Sequence, residues 1–150
     1  MPDSYWSLDD AINGFVAAMR ARTWIDQNNI QVEDAWPGEL AFQRTIWVDE
    51  ARSVEEVAGM RAGAIKMNEN YSLYVVCDSY KEGGSTAEAR ARITPLVGEV
   101  LREIAEKKRI DTPGSNVLAA RVAGWRYDPY VLTEGRGVAC KIEIKVTGRR

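Results

Sequence analysis

The sequence predicts an α+β domain: a mostly antiparallel sheet of four to five strands with two main helices packed on one face. Three observations carry this. Val138, Cys140, Ile142, Ile144 and Val146 alternate with Ala139, Lys141, Glu143 and Lys145, the pattern of a strand with one buried and one solvated face. Ala89, Ile93, Leu96, Val97, Val100, Leu101 and Ile104 recur at helical spacing, a stripe that must be buried against something flat. Between the N-terminal third and that helix lies Tyr71–Ser79, apolar on both faces, which suits a central strand.

Taken in order, the first helix is predicted to start near Ser7. Ser7 and Asp10 have the spacing of a capping box, and Leu8, Ile12, Phe15, Val16 and Met19 share a face. Arg20 and Arg22 suit the negative end of the helix dipole, while Gly14 weakens the interior by about 1 kcal/mol. A polar turn at 26–29 leads to a short strand over 30–35. Trp36-Pro37-Gly38-Glu39 then reads as a tight turn into a second strand over 40–49, giving a hairpin. The broken alternation of that strand leaves its inward set open: Leu40, Phe42, Ile46 and Val48, or the alternate set with Trp47.

Residues 50–68 are read as an excursion. Ser53-Val54-Glu55-Glu56 has capping form, but Gly59 and Gly63 disfavour a long helix. Loops of that length in small domains tend to be functional. After the central strand, Gly83-Gly84 turns the chain, Ser85 caps the second helix and Glu88 completes a capping box. Pro95 sits inside that helix and is expected to kink or divide it. Lys107, Lys108 and Arg109 close it; 111–114 form a turn. A fourth strand over 116–127, a loop through Pro129 and Gly135, and a last strand over 137–147 complete the chain, the last two pairing antiparallel.

The 150 residues make one domain, large enough to bury a core without disulfides. Apolar and charged fractions near globular averages exclude a disordered or collagen-like class. A formal charge of −2 argues against a protein whose main work is neutralising phosphates. Cys77 and Cys140 are read as two buried thiols acting as small hydrophobes. The N-terminus offers no signal-peptide pattern and no window suits a membrane span, so a soluble protein meeting its partners in a cytoplasm is expected.

Catalytic motifs are missing. The chain has no histidine, which removes the commonest metal ligand and the Ser-His and Cys-His nucleophile pairs. No catalytic, cofactor or metal residues are therefore assigned, and no enzyme is expected. Asp9-Asp10, Asp49-Glu50 and Glu55-Glu56 are adjacent acids, read as dipole complements and solvation. Gly83-Gly84-Ser85 lacks the lysine of a phosphate-binding loop and the three-glycine spacing of a dinucleotide site. Arg90, Arg92, Arg102, Lys107, Lys108 and Arg109 interleave with Glu88, Glu99, Glu103 and Glu106, read as a solvated, ion-paired helix face. Five tryptophans and six tyrosines are a generous allotment, and core and interface readings of them weigh about equally. Trp36, Trp47, Trp125 and Tyr130 fall at strand ends or turns, where aromatics serve contact surfaces.

From Ser7 to Arg150 the chain resembles the tail-terminator (tail-completion) proteins of long-tailed bacteriophages. The likeness lies in the N-terminal amphipathic helix, Asp34-Ala35-Trp36-Pro37, Ile46-Trp47-Val48, Glu69-Asn70-Tyr71-Ser72-Leu73-Tyr74-Val75-Val76, Thr86-Ala87-Glu88-Ala89-Arg90-Ala91-Arg92, and Glu134-Gly135-Arg136-Gly137-Val138 leading into Ile142-Glu143-Ile144-Lys145-Val146. The resemblance implies a structural virion protein assembled in the host cytoplasm. It implies a homo-hexameric ring on the finished tail tube that ends polymerisation of the major tail tube protein and joins the head-tail connector or stopper protein. DNA would pass through the lumen without sequence-specific contact, and no cofactor or membrane is involved. Contact residues are then expected at the sheet edges and in the excursion: Trp36, Trp47, Arg52, Glu55, Glu56, Met60, Arg61, Trp125 and Tyr130. A neck or connector adaptor of the same junction is the nearest rival. A nucleic-acid-binding α+β module is a more distant one and predicts steeply salt-dependent DNA binding.

Overall fold

The computed structural model describes residues 7–38, 43–53, 68–107 and 117–149. Helix α1 (Leu8–Arg20) is followed by a short helix α2 (Thr23–Gln27), strands β1 (Gln31–Glu33), β2 (Arg44–Ser53) and β3 (Asn68–Glu82), helix α3 (Thr86–Lys107), and strands β4 (Val117–Leu132) and β5 (Gly135–Arg149). The five strands form one sheet in the order β1-β2-β3-β5-β4. β1 runs parallel to β2, and every other pair is antiparallel.

β3 holds the middle place that its two-sided apolar pattern predicts. Tyr71, Leu73, Val75 and Cys77 enter the core under the helices, while Ser72, Val76 and Asp78 are buried on the opposite face. β5 places Val138, Cys140, Ile142, Ile144 and Val146 in that core, as their alternation requires. α1 contributes Phe15, Val16 and Met19 from the predicted stripe, and α3 contributes Ala89, Ile93, Leu96, Val100 and Ile104. Cys77 and Cys140 stand directly opposite each other on β3 and β5 as free, buried thiols.

The start of α3 follows the capping box. Ser85 Oγ accepts the Glu88 backbone N–H at 3.1 Å, and its hydroxyl lies 3.4 Å from Glu88 Oε1. Gly83 makes the preceding turn at φ 65°, a conformation that side chains with a Cβ resist. Because Ser85 is exposed, Ser85→Ala should cost only the cap, about 1 kcal/mol. Urea unfolding would measure this; a loss within experimental error would show that the bond carries nothing. Pro95 does not divide the helix, which runs unbroken through it. The carbonyl it leaves without a donor belongs to Ala91, which is exposed and open to water.

Several expectations give way. The first two strands are not a hairpin: Val32 lies beside Ile46 in parallel register. β1 is held there by Arg20, whose Nε and Nη2 donate to the Val32 carbonyl at 3.1 and 2.7 Å, and by burial of Val32 itself. Gly38 takes φ 79° as a turn glycine should, but the chain then returns in the same direction as β1. β2 sends Ile46 and Val48 inward and Trp47 to the other face; Leu40 and Phe42 lie outside the described residues. A bulge between Val48 and Glu50 explains the broken alternation. The 50–68 excursion is shorter than expected, since 50–53 and 68–70 are strand.

Ser7 is buried and makes no side-chain cap on α1; its hydroxyl lies 3.1 Å from the Tyr71 hydroxyl. The polar turn after α1 contains helix α2. Glu99 and Glu103 are not on a solvated face but are buried against Arg22, which spaces α1 from α2.

The predicted loop at 128–136 is strand almost throughout, with only Thr133 and Glu134 turning β4 into β5. Backbone bonds explain why Pro129 permits this. Tyr80 N–H donates to the Gln43 carbonyl and Gly83 N–H to the Glu134 carbonyl, at 2.9 and 2.8 Å. In antiparallel ladders these bonds alternate, so the register points Arg126, Asp128 and Tyr130 toward β5, and Val122, Trp125, Tyr127 and Pro129 outward. Pro129 thus lacks its N–H where no strand of the sheet needs it.

Candidate interaction surface

The face of the sheet opposite the helices carries the most densely organised side chains. Lys141 on β5 is central. Its Nζ lies 2.9 Å from Asp49 Oδ2 and 3.0 Å from Glu50 Oε1, and 5.2 Å from the centre of the Tyr74 ring. Arg52 covers the same ring at 5.6 Å, so the tyrosine sits between two cations. The bulge in β2 presents adjacent Asp49 and Glu50 to one ammonium, an arrangement a regular strand would not give. The Lys141 hydrogen bond holds the Glu50 carboxyl below its usual range, and the Asp49 hydrogen bond raises Lys141.

Glu50, Arg52, Tyr74 and Lys141 line an open dish of about 390 Å³ together with Gly124, Trp125, Arg126 and Glu143. Ser72 donates to Glu143 Oε1 at 3.0 Å. Lys141 is matched by Asp49 and Glu50, and Arg126 pairs with Asp128 at the rim at 2.8 Å. Among the described residues no group of three or more His, Cys, Asp or Glu side chains could hold a metal ion, and no helix is long and apolar enough to cross a membrane.

At one end of this face Trp36 stands edge-on to Trp47, ring centres 4.9 Å apart at 67°. Trp36 is 53% exposed and Trp47 is buried beneath it. At the other end Tyr130 crosses Gly137, where an added Cβ would lie 2.1 Å from the ring, to donate to Asp78 Oδ1 and Oδ2 at 2.9 and 3.0 Å. Burial pushes Asp78 from 3.8 up to about 6 against the opposing effect of that bond, and burial with the neighbouring carboxylate raises Tyr130.

Of the nine residues expected to make contacts, the five that are described do not gather at one site. Trp36, Arg52 and Trp125 are exposed and spread across the sheet; Trp47 supports Trp36, and Tyr130 is tied to Asp78. Glu55, Glu56, Met60 and Arg61 lie outside the described residues. Sequence reasoning missed the dish around Lys141, because its members meet only through the β2–β3–β5 register. It also missed Val131 and Leu132, 67% and 51% exposed on β4, by reading them as loop. On the helix side, Ile93, Val97, Leu101, Trp125 and Tyr127 border an apolar groove of about 520 Å³ between α3 and β4.

No protein-family model and no curated protein matches the chain. Among solved structures, one chain of the "Virion of native gene transfer agent (GTA) particle" shares its fold, with a TM-score of 0.61 at 13% identity. The match covers 97% of this chain and 100% of that one.

Proposed function

We propose that this chain is a structural subunit of a phage-type virion, and that it forms a ring, hexameric by the family resemblance, that caps the tail tube. The ring ends polymerisation of the tube protein and offers the surface that joins the tail to the head connector or stopper. DNA passes through its lumen without being read. The observation that carries the proposal is the end-to-end fold likeness to a chain of a gene transfer agent virion. The surface supports it. No described helix covers one sheet face, Lys141 there is matched by Asp49 and Glu50, and exposed tryptophans stand at both ends of the sheet. A heterologous ring needs separate complementary patches of this kind on each subunit.

The test is to assemble the tube protein of the same virion with and without this chain and to image the products. Capped ends carrying a ring of copies, with growth halted, are the expected result. Tubes that lengthen unchanged would overturn the reading, and binding to a portal ring with none to tube ends would move the protein to the connector.

A further inference from the structure

We propose that, away from its assembly partners, the chain pairs with a second copy of itself along the outer edge of β4, about a two-fold axis at Trp125. From Ala120 onward that edge has no strand partner among the described residues. Among the described residues it carries three of the four exposed large apolar side chains: Trp125 stands at the centre of the pairing, and Val131 and Leu132 lie beyond Pro129, outside it. A long unpaired edge with such side chains is an aggregation hazard unless something covers it.

Self-complementarity identifies the cover. The residues whose backbone groups point outward are Val122, Trp125 and Tyr127, with Ala123 as the extra residue of a bulge. Antiparallel pairing centred on Trp125 places Trp125 opposite its symmetry mate and Tyr127 opposite Val122. It sets Arg126 opposite Gly124, which has no side chain and open space around it. It also sets Arg121 opposite Asp128, both exposed and on the face away from the helices, so Arg121 of each copy adds a second cation to an Asp128 that already holds Arg126 of its own chain at 2.8 Å. Each copy keeps its bulge, and all paired residues stay on matching faces. Pro129 falls just past Asp128 and, lacking an outward N–H, ends the ladder on both sides. About six backbone hydrogen bonds join the copies into one continuous sheet.

The experiment is native mass and light scattering of the full chain at tens of micromolar, with Arg121→Asp, Asp128→Arg and the double exchange. Both positions are exposed, so circular dichroism should show all four proteins folded. The expected wild-type mass is twice 16.8 kDa. Each single reversal should weaken association by about tenfold or more, and the double exchange should restore it. A wild-type monomer, a ring of the free chain, single variants that associate normally, or a double exchange that fails to restore the dimer would each overturn the inference. None of these outcomes overturns tube capping, so the two proposals fail separately.

Discussion

Replacing Arg22 with methionine should lower the free energy of unfolding by about 3–5 kcal/mol. Arg22 lies between α1 and α2 and reaches α3, where Nε hydrogen-bonds Glu99 and Nη1 donates to Glu103 Oε2 at 2.6 Å. The Glu103 side chain is 1% exposed and Glu99 9%. Lys107 pairs with Glu103 at 2.8 Å and Arg102 with Glu99 at 3.7 Å, but both cations reach in from the surface. Without Arg22 two carboxylates remain buried with partial compensation, and their desolvation is no longer offset. Changing the arginine and both glutamates together to apolar residues of similar size should recover most of the loss. Urea unfolding followed by tryptophan fluorescence measures both. A loss below about 1 kcal/mol for Arg22→Met would place this cluster with ordinary surface pairs.

Asp78→Asn should stabilise the protein at pH 8 by about 3 kcal/mol and leave it nearly unchanged at pH 4. Asp78 is buried opposite Thr45 on β2 and Ala139 on β5, and its carboxyl is raised from 3.8 to about 6. A raised carboxyl means that the folded state holds its proton more tightly than the unfolded state does. Ionised Asp78 therefore penalises folding fully above about pH 6, and the penalty fades as pH falls toward 4. Asparagine keeps an acceptor for the Tyr130 hydroxyl without the charge. The variant should thus differ from wild type only on the alkaline side of that window. Equal stability of the two proteins at pH 8 would show that water or relaxation solvates the carboxylate.

Much of the architecture was legible because it is local. The β5 alternation, the α3 stripe and the Ser85–Glu88 cap each follow from residues within a few positions of one another, and each appears where expected. The two-sided Tyr71–Ser79 run also located the middle of the sheet. The candidate surface was less legible. Single exposed aromatics such as Trp36 and Trp125 could be named from turns and strand ends, but the Lys141 dish could not. Glu50 and Lys141, 91 residues apart, meet there only through register.

Periodicity acts over one element at a time, so it was enough to give the fold class, the main strands and long helices, and the faces they bury. How those elements use their neighbours came from the packed fold. β1 lies parallel because Arg20 and the core hold Val32 beside Ile46, overriding the turn chemistry at Trp36-Pro37-Gly38. β4 continues through Pro129 because the missing N–H faces outward from an edge. Glu99 and Glu103 are buried because Arg22, more than 70 residues earlier, meets them there. Each turns on what stands beside a residue in the fold, a partner or an open edge, and local propensity carries no information about either.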